Sequence, residues 1–374
     1  MALKKTKVYV GMSGGVDSSL AAALLVDQGY DVTGVFMKNW TADLPGVKCP
    51  WADDLADAKR VAVQLGIDFK VFDFEKEYRQ KVVDYMISEY KKGRTPNPDI
   101  MCNQEVKFKL FLETALADGA DMIATGHYAR VANGIWNMEY GESPTAKIPN
   151  SNSQIPIAKL KQAVDDNKDQ TYFLYRVTEE ALSKTIFPIG KFTKPQVRKM
   201  AEERGLTTAV KKDSQGICFV GQVGIRDFLS QYVEPKSGKI IDKKSGKVLG
   251  SHDGAIFYTF GQRHGMDLGG GMPYYVVGKN MKKNEVYVTT NLNDDTLWKR
   301  TINLTDLHWI NQGPTLSKYQ IRVRHRAPLV GAVISPGGNN TLKLVLDNPE
   351  RAIAPGQSVV IYDNGICLGG GIIN

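Results

Sequence analysis

The chain is poor in cysteine and histidine, and it has no long apolar run. Its four cysteines, Cys49, Cys102, Cys218 and Cys367, lie far apart and form no CxxC pair. That excludes a disulfide scaffold, a zinc ribbon and an iron–sulfur cage, so a cysteine that matters here works as a reactive thiol. Uncharged stretches such as Ala21 to Val26 stop far short of the roughly 20 apolar residues that cross a bilayer. Met1 to Val10 carries three lysines but no apolar signal core, and a soluble, unexported protein is expected. Internal repeats and low-complexity tracts are also missing.

Over 374 residues, 42% are hydrophobic and 24% charged, the usual balance of chains that bury a core in each of about two or three domains. Forty-eight Lys and Arg against 40 Asp and Glu leave a net charge of +8 and a pI near 9.0. Such a balance leans towards a polyanionic partner.

Short β-rich runs alternate with helical patterns through the first 130 residues. Lys7–Met12, Asp31–Lys38, Phe69–Phe74 and Met122–Thr125 read as strands; Asp17–Gln28, Ala52–Leu65, Lys76–Lys91 and Val106–Ala117 read as helices. This alternation predicts a parallel sheet covered on both faces, with nucleotide chemistry at its carboxyl edge. Asn133–Pro156, rich in Asn, Ser, Gly and Pro, reads as a surface hairpin or insertion. Helices follow at Glu179–Lys184 and Lys194–Arg204, the second capped by Thr193 and ending before Gly205. From Gly238 the texture becomes Gly-rich and alternating, with strands expected at Ile256–Phe260, Tyr274–Gly278, Glu285–Thr289, Tyr319–Arg326, Thr341–Leu346 and Ser358–Tyr362. Boundaries fall near residues 222 and 292.

The strongest local signal is Ser13-Gly14-Gly15-Val16-Asp17-Ser18-Ser19, between the first strand and the first helix. Glycines let the backbone curl, its N–H groups converge, and the helix N-terminus adds positive potential, which together make an anion cradle. The lysine of the GxxxxGK[ST] pattern is missing, so lysine-assisted transfer of a terminal phosphate is not the implied reaction. SGGVDSS resembles the pyrophosphate loop of adenine-nucleotide alpha-hydrolase-type enzymes, which split ATP between its α and β phosphates.

Two thiols stand out by their settings. In Thr95-Pro96-Asn97-Pro98-Asp99-Ile100-Met101-Cys102 the prolines force an extended loop and a helix follows at once. Cys102 is therefore expected at a helix start, where the dipole would lower its pKa, with Asp99 near enough to move a proton. Cys218 lies in Asp213-Ser214-Gln215-Gly216-Ile217-Cys218-Phe219 after Lys211 and Lys212, cations that favour a thiolate or persulfide anion. Plain packing is the alternative for each, since free cysteine usually behaves as a small hydrophobe. Cys49 and Cys367 read as structural.

GMSGGVDSS, TPNPDIMCNQEVKF, ATGHYAR, DDNKDQTYFLY, KKDSQGICFVG, FYTFGQRHGM and PERAIAPGQSVVIYD together resemble, in order and across nearly the whole chain, the bacterial tRNA-specific 2-thiouridylases, the MnmA family. The resemblance implies an α/β, Rossmann-like PP-loop catalytic domain over residues 1–222, a central β-rich domain over 223–291 and a C-terminal β-barrel over 292–374. It also implies a cytoplasmic enzyme that uses ATP, with Mg²⁺ on its phosphates, to replace O2 of the wobble uridine of Lys, Glu and Gln tRNAs by sulfur. A cysteine desulfurase or sulfur-relay protein would supply the persulfide. By resemblance, Cys102 is the nucleophile and Cys218 the persulfide carrier. Gly11, Met12, Ser13, Gly14, Gly15, Val16, Asp17, Ser18, Met37 and Gly126 match the ATP-contacting positions. Asn97, Pro98 and Asp99 match those that meet the target base; Lys168, Asp169, Gln170, Arg324 and His325 match tRNA-contacting segments. Asn133–Pro156 is longer and more polar than the hairpin usual in the family.

On a strand through Lys318–Arg326 the side chains of Arg322, Arg324 and Arg326 would share one face, a stripe suited to a phosphate backbone; a solvated edge strand would look the same. Two rivals remain from the residues alone. One is an ATP-pyrophosphatase ligase that captures ammonia, which needs no thiol pair; the other is a noncatalytic RNA-binding protein on a relic nucleotide fold.

Overall fold

The computed structural model describes residues 5–43, 49–132, 157–213, 224–269 and 271–374. Its first sheet takes strands β1 (Lys7–Gly11), β2 (Asp31–Lys38), β3 (Asp68–Asp73) and β4 (Met122–Thr125). A hairpin of β5 (Arg130–Ala132) and β6 (Lys159–Lys161) then leaves for another sheet before β7 (Thr185–Ile186) returns. The order is β3-β2-β1-β4-β7, and every pairing is parallel.

Both faces of β1 are buried. Val8 and Val10 pack with Leu20, Leu24, Ala58 and Val61 of the helices Val16–Asp27 and Trp51–Leu65, whereas Tyr9 packs on the other side with Tyr78, Val82, Met86 and Phe111. This is the two-residue alternation of a strand with cores on both sides. Chain connections diverge from β1 towards β2 and β4, so the loops after β1 and β4 border a crevice at the carboxyl edge. The helical runs Glu75–Lys91 and Pro98–Ala117 include π-helical turns at Arg79–Val83 and Cys102–Leu110.

In the middle of the chain, β8 (Gly238–Asp242), β9 (Val248–His252), β10 (Tyr275–Asn280) and β11 (Glu285–Thr289) form a sheet of order β10-β11-β8-β9. Ile256–Phe260 is not a strand: Ala255–Phe257 is a 3₁₀ turn. Ala255, Ile256, Phe257 and Tyr258 are buried in succession, which an alternating strand facing one core cannot do.

Six strands close into a barrel: β12 (Trp298–Trp309), β13 (Lys318–Arg322), β14 (Val330–Gly338), β15 (Thr341–Arg351), β16 (Ser358–Asp363) and β17 (Ile366–Ile373). They run in the order β12-β15-β14-β13-β16-β17, and β12 pairs with β17 to complete the ring. The barrel sheet also recruits chain from the first unit, because β6 pairs with β17 and β5 with β6. Asn133–Pro156, between those two short strands, lies outside the described residues.

The same joint overturns the three-arginine stripe. β13 ends at Arg322, Ile321, Arg322 and Val323 are all buried, and Arg326 turns the chain at φ +62°. Arg322 is drawn inward by the fully enclosed Asp169 carboxylate, 2.8 Å away. Asp169 also accepts from Thr171 Oγ1 at 2.8 Å and the Ala163 N–H at 3.1 Å. Tyr172 donates from its hydroxyl to the Ser358 carbonyl at 2.9 Å, adding a second tie between the nucleotide-fold unit and the barrel.

Candidate active site

The loop after β1 folds on its own hydroxyls. The Ser18 Oγ accepts from the Ser13 N–H at 3.2 Å and donates to the Gly15 carbonyl at 3.1 Å, and the Ser19 Oγ donates to the same carbonyl at 2.8 Å. Gly14 has φ +72°, and a Cβ there would lie 2.3 Å from the Asp54 carbonyl oxygen. Gly126, after β4, approaches so closely that its Cβ would stand 2.6 Å from Ser18 N. Only glycine permits either approach. Among the described residues no side chain caps the helix that starts at Val16, which leaves its positive end facing the crevice.

A cavity of about 300 Å³ opens there. Gly11, Met12, Ser13, Asp17 and Ser18 line it from the loop, Met37, Asn39 and Trp40 from the end of β2, and Thr125, Gly126 and His127 from the end of β4. The Asn39 Oδ1 is buried without a hydrogen-bond partner among the described residues, an acceptor placed to meet a donor on a ligand. Glycine backbone, a helix N-terminus and an orphan acceptor fit a nucleotide with its phosphates on the loop. Among the described residues no three His, Cys, Asp or Glu side chains converge to hold a metal ion.

Tyr78, Lys107 and Gln170 line the same cavity, and Tyr78 hydrogen-bonds to Cys102. Cys102 is 1% exposed. The helix begins earlier than expected, at Pro98, where Asn97 Oδ1 accepts from the Asp99 and Ile100 N–H groups. Cys102 is thus one turn inside it, on the face of Asp99, and the expected lowering by the dipole is overturned. Burial pushes its thiol up and Asp99 adds to the rise; Lys107 and the Tyr78 hydroxyl pull the other way. His127, enclosed and bonded to Thr125 Oγ1 at 2.8 Å through Nδ1, is driven well below its usual range by burial and by Lys107, so it is neutral near pH 7.

Behind the loop stands an ionic cluster. Lys194 Nζ reaches both Asp17 oxygens at 2.7 and 2.8 Å and Asp213 at 2.9 Å. Asp213 is also held by Lys168 at 2.7 Å and Arg198 at 2.6 Å. Burial opposes its charge, but these lysines outweigh burial and hold its carboxyl at about 2.

Three families match along the chain by description: tRNA methyl transferase HUP domain over residues 6–222, tRNA methyl transferase PRC-barrel domain over 226–290 and aminomethyltransferase beta-barrel domain over 299–373. The curated tRNA-specific 2-thiouridylase MnmA proteins of Bacillus cytotoxicus and Bacillus cereus are each 47% identical to it, covering 99% of this chain and 95% of theirs. That of Bacillus thuringiensis is 46% identical over the same shares. The chain belongs to the MnmA family.

The MnmA-type positions fall into different surroundings here. Lys168 is half-buried in the ionic cluster and Gln170 faces the cavity, accepting from the Tyr128 N–H at 2.9 Å. Asp169, expected among tRNA contacts, is 0% exposed, and its carboxylate serves the barrel joint instead. Arg324 is exposed and donates to the Arg351 carbonyl at 2.6 Å. His325 packs against Phe173 with ring centroids 4.5 Å apart and the planes tilted by 43°, and burial with Arg326 and Arg322 nearby lowers it to about 4. Cys218 lies outside the described residues. Cys367 is fully buried, which pushes its thiol up. Tyr78, Asn39 and Lys194 had no functional role in the sequence, and Asp213 was quoted only as part of the Cys218 motif. Lys107 and His127 sat inside the quoted motifs without one. For Lys194 no local signal existed, because its partner Asp17 is 177 positions away.

Proposed function

We propose that this chain is an ATP-dependent tRNA-uridine 2-sulfurtransferase that replaces O2 of the wobble uridine of Lys, Glu and Gln tRNAs by sulfur. The observation that carries the reading is the continuity of the phosphate-loop cavity with Cys102 through Tyr78, with Asp99 one helical turn away on the same face. Family membership supports it. ATP would lie with its phosphates on Ser13–Ser18, and Mg²⁺ would enter on those phosphates and neutralise them.

The uracil O2 would attack the α phosphorus while pyrophosphate leaves towards the helix N-terminus, making C2 electrophilic and AMP its leaving group. The terminal sulfur of a Cys218 persulfide would attack C2 and expel AMP. Cys102 would then attack the Cys218 sulfur, freeing the thiocarbonyl and leaving a Cys102–Cys218 disulfide. Alternatively Cys102 releases the sulfur first as sulfide, which attacks C2; the disulfide is the same, and a reductant and a fresh persulfide from a cysteine desulfurase or relay protein reset either route. A buried, protonated Cys102 needs a proton acceptor, and Asp99, one turn away on the same helical face, would serve as one.

Asn97, Pro98 and Asp99 would meet the base. Lys168, Gln170, Arg324 and His325 would meet the tRNA, His325 by stacking or hydrogen bonding rather than charge, and Asp169 would act through Arg322. The setting of such chemistry is the cytoplasm. Pyrophosphate release from ATP should require substrate tRNA; release with free ammonia and no tRNA would favour a small-molecule ligase, and incorporation of a methyl group would favour the activity that the family descriptions name.

A further inference from the structure

Lys194 opens the helix Lys194–Glu203, at the end where the helix dipole disfavours a cation, and its side chain is only 10% exposed. Three carboxylates account for its place. Its backbone N–H donates to Asp165 at 2.8 Å, and its Nζ lies 2.7 and 2.8 Å from the two Asp17 oxygens and 2.9 Å from Asp213. Asp213 has two further cations in Lys168 and Arg198, whereas among the described residues the Tyr128 hydroxyl, at 2.9 Å, is the other side-chain donor on Asp17. The charge of Lys194 is therefore owed mainly to Asp17. Asp17 lines the cavity with its side chain 31% exposed, where a naked carboxylate would repel a polyphosphate.

We propose that Lys194 is a positioning residue of the nucleotide site: it acts through Asp17, cancelling its charge and holding its carboxylate aside so that a nucleoside triphosphate meets a neutral loop. This rests on the reading of the cavity as the ATP site. Lys194 itself stands behind Asp17 and is not among the cavity's lining residues.

The test is ATP binding by the full chain, measured by titration calorimetry. Lys194→Met, which removes the charge and keeps the length, should weaken ATP binding by about tenfold or more, and Lys194→Arg should restore most of it. In an Asp17→Asn background, where no charge is left to cancel, the same substitution should change affinity by less than about threefold. A merely structural lysine would give the same loss in both backgrounds. Unchanged affinity in Lys194→Met, an equal loss in the Asp17→Asn background or no recovery with arginine would each overturn the proposal while leaving the nucleotide reading intact. A wild-type chain that binds no ATP would sink that reading, and this inference with it.

Discussion

Asp17 with Lys194 and Asp169 with Arg322 are the same pairing in two places, a carboxylate held by a buried cation at 2.7 to 2.8 Å. Asp169 is fully enclosed, and Arg322 has it as its ion-pair partner among the described residues. Asp17 faces a cavity, and Lys194 keeps Asp213 when Asp17 is lost. The Asp169 pair joins two folding units, and removing one partner strands a buried charge; the Asp17 pair tunes a binding surface, and removing Asp17 leaves its cation still paired. Burial of the partner left behind, rather than the distance between charges, separates a pair that holds the fold from one that serves the site.

Substitutions can sharpen or break that contrast. Cys102→Ser touches neither pair; it should abolish sulfur transfer, retain ATP binding and still take a sulfane label onto Cys218 from a persulfide donor, checked by radiolabel and by peptide mapping. Asp17→Ala should lower tRNA-dependent pyrophosphate release by at least about a hundredfold with little change in the thermal midpoint. Asp169→Asn or Arg322→Met should do the reverse, costing about 3–5 kcal/mol of stability in urea unfolding while the pyrophosphate loop keeps its hydroxyl bonds. If Asp17→Ala proved the more destabilising, the contrast would collapse.

Smaller effects lie at the surface. Arg324→Ala and Arg326→Ala should leave stability within about 0.5 kcal/mol but flatten the salt dependence of tRNA binding by up to about one unit for each phosphate interaction removed. Arg322→Met should flatten it only through misplacement of its neighbours. With pH, His325 is held at about 4, below its usual 6.5, by burial first and nearby arginines second, and His127 is lowered as well. Their neutral forms are favoured by folding, so this contribution is complete above pH 6.5 and is lost progressively as pH falls towards 4. Urea midpoints across that window should drop, and by less in His325→Gln.

Much of this was legible in the chain. The Ser13–Ser19 turn announced itself because glycine and hydroxyls between a strand and a helix have few other uses, and the two-sided burial of β1 followed from its unbroken apolar run. Other features depend on distant residues. Alternation placed Arg322 beside Arg324 and Arg326, but an enclosed carboxylate at Asp169 pulls it inside. Polar neighbours suggested an activated Cys102, yet it is 1% exposed within the apolar core, with the Tyr78 hydroxyl as a hydrogen-bond partner. The barrel's use of β5 and β6 could not be read from three-residue segments that look like loop edges.

The central claim, that the phosphate-loop cavity and the buried thiol beside it serve one reaction on RNA, is tested most directly by mass spectrometry of tRNA incubated with the enzyme, ATP and a persulfide donor. One uridine at the wobble position should gain the mass difference between sulfur and oxygen, only when ATP is present, and not with Cys102→Ser. Unmodified tRNA under those conditions, or thiolation that proceeds without ATP, would contradict it.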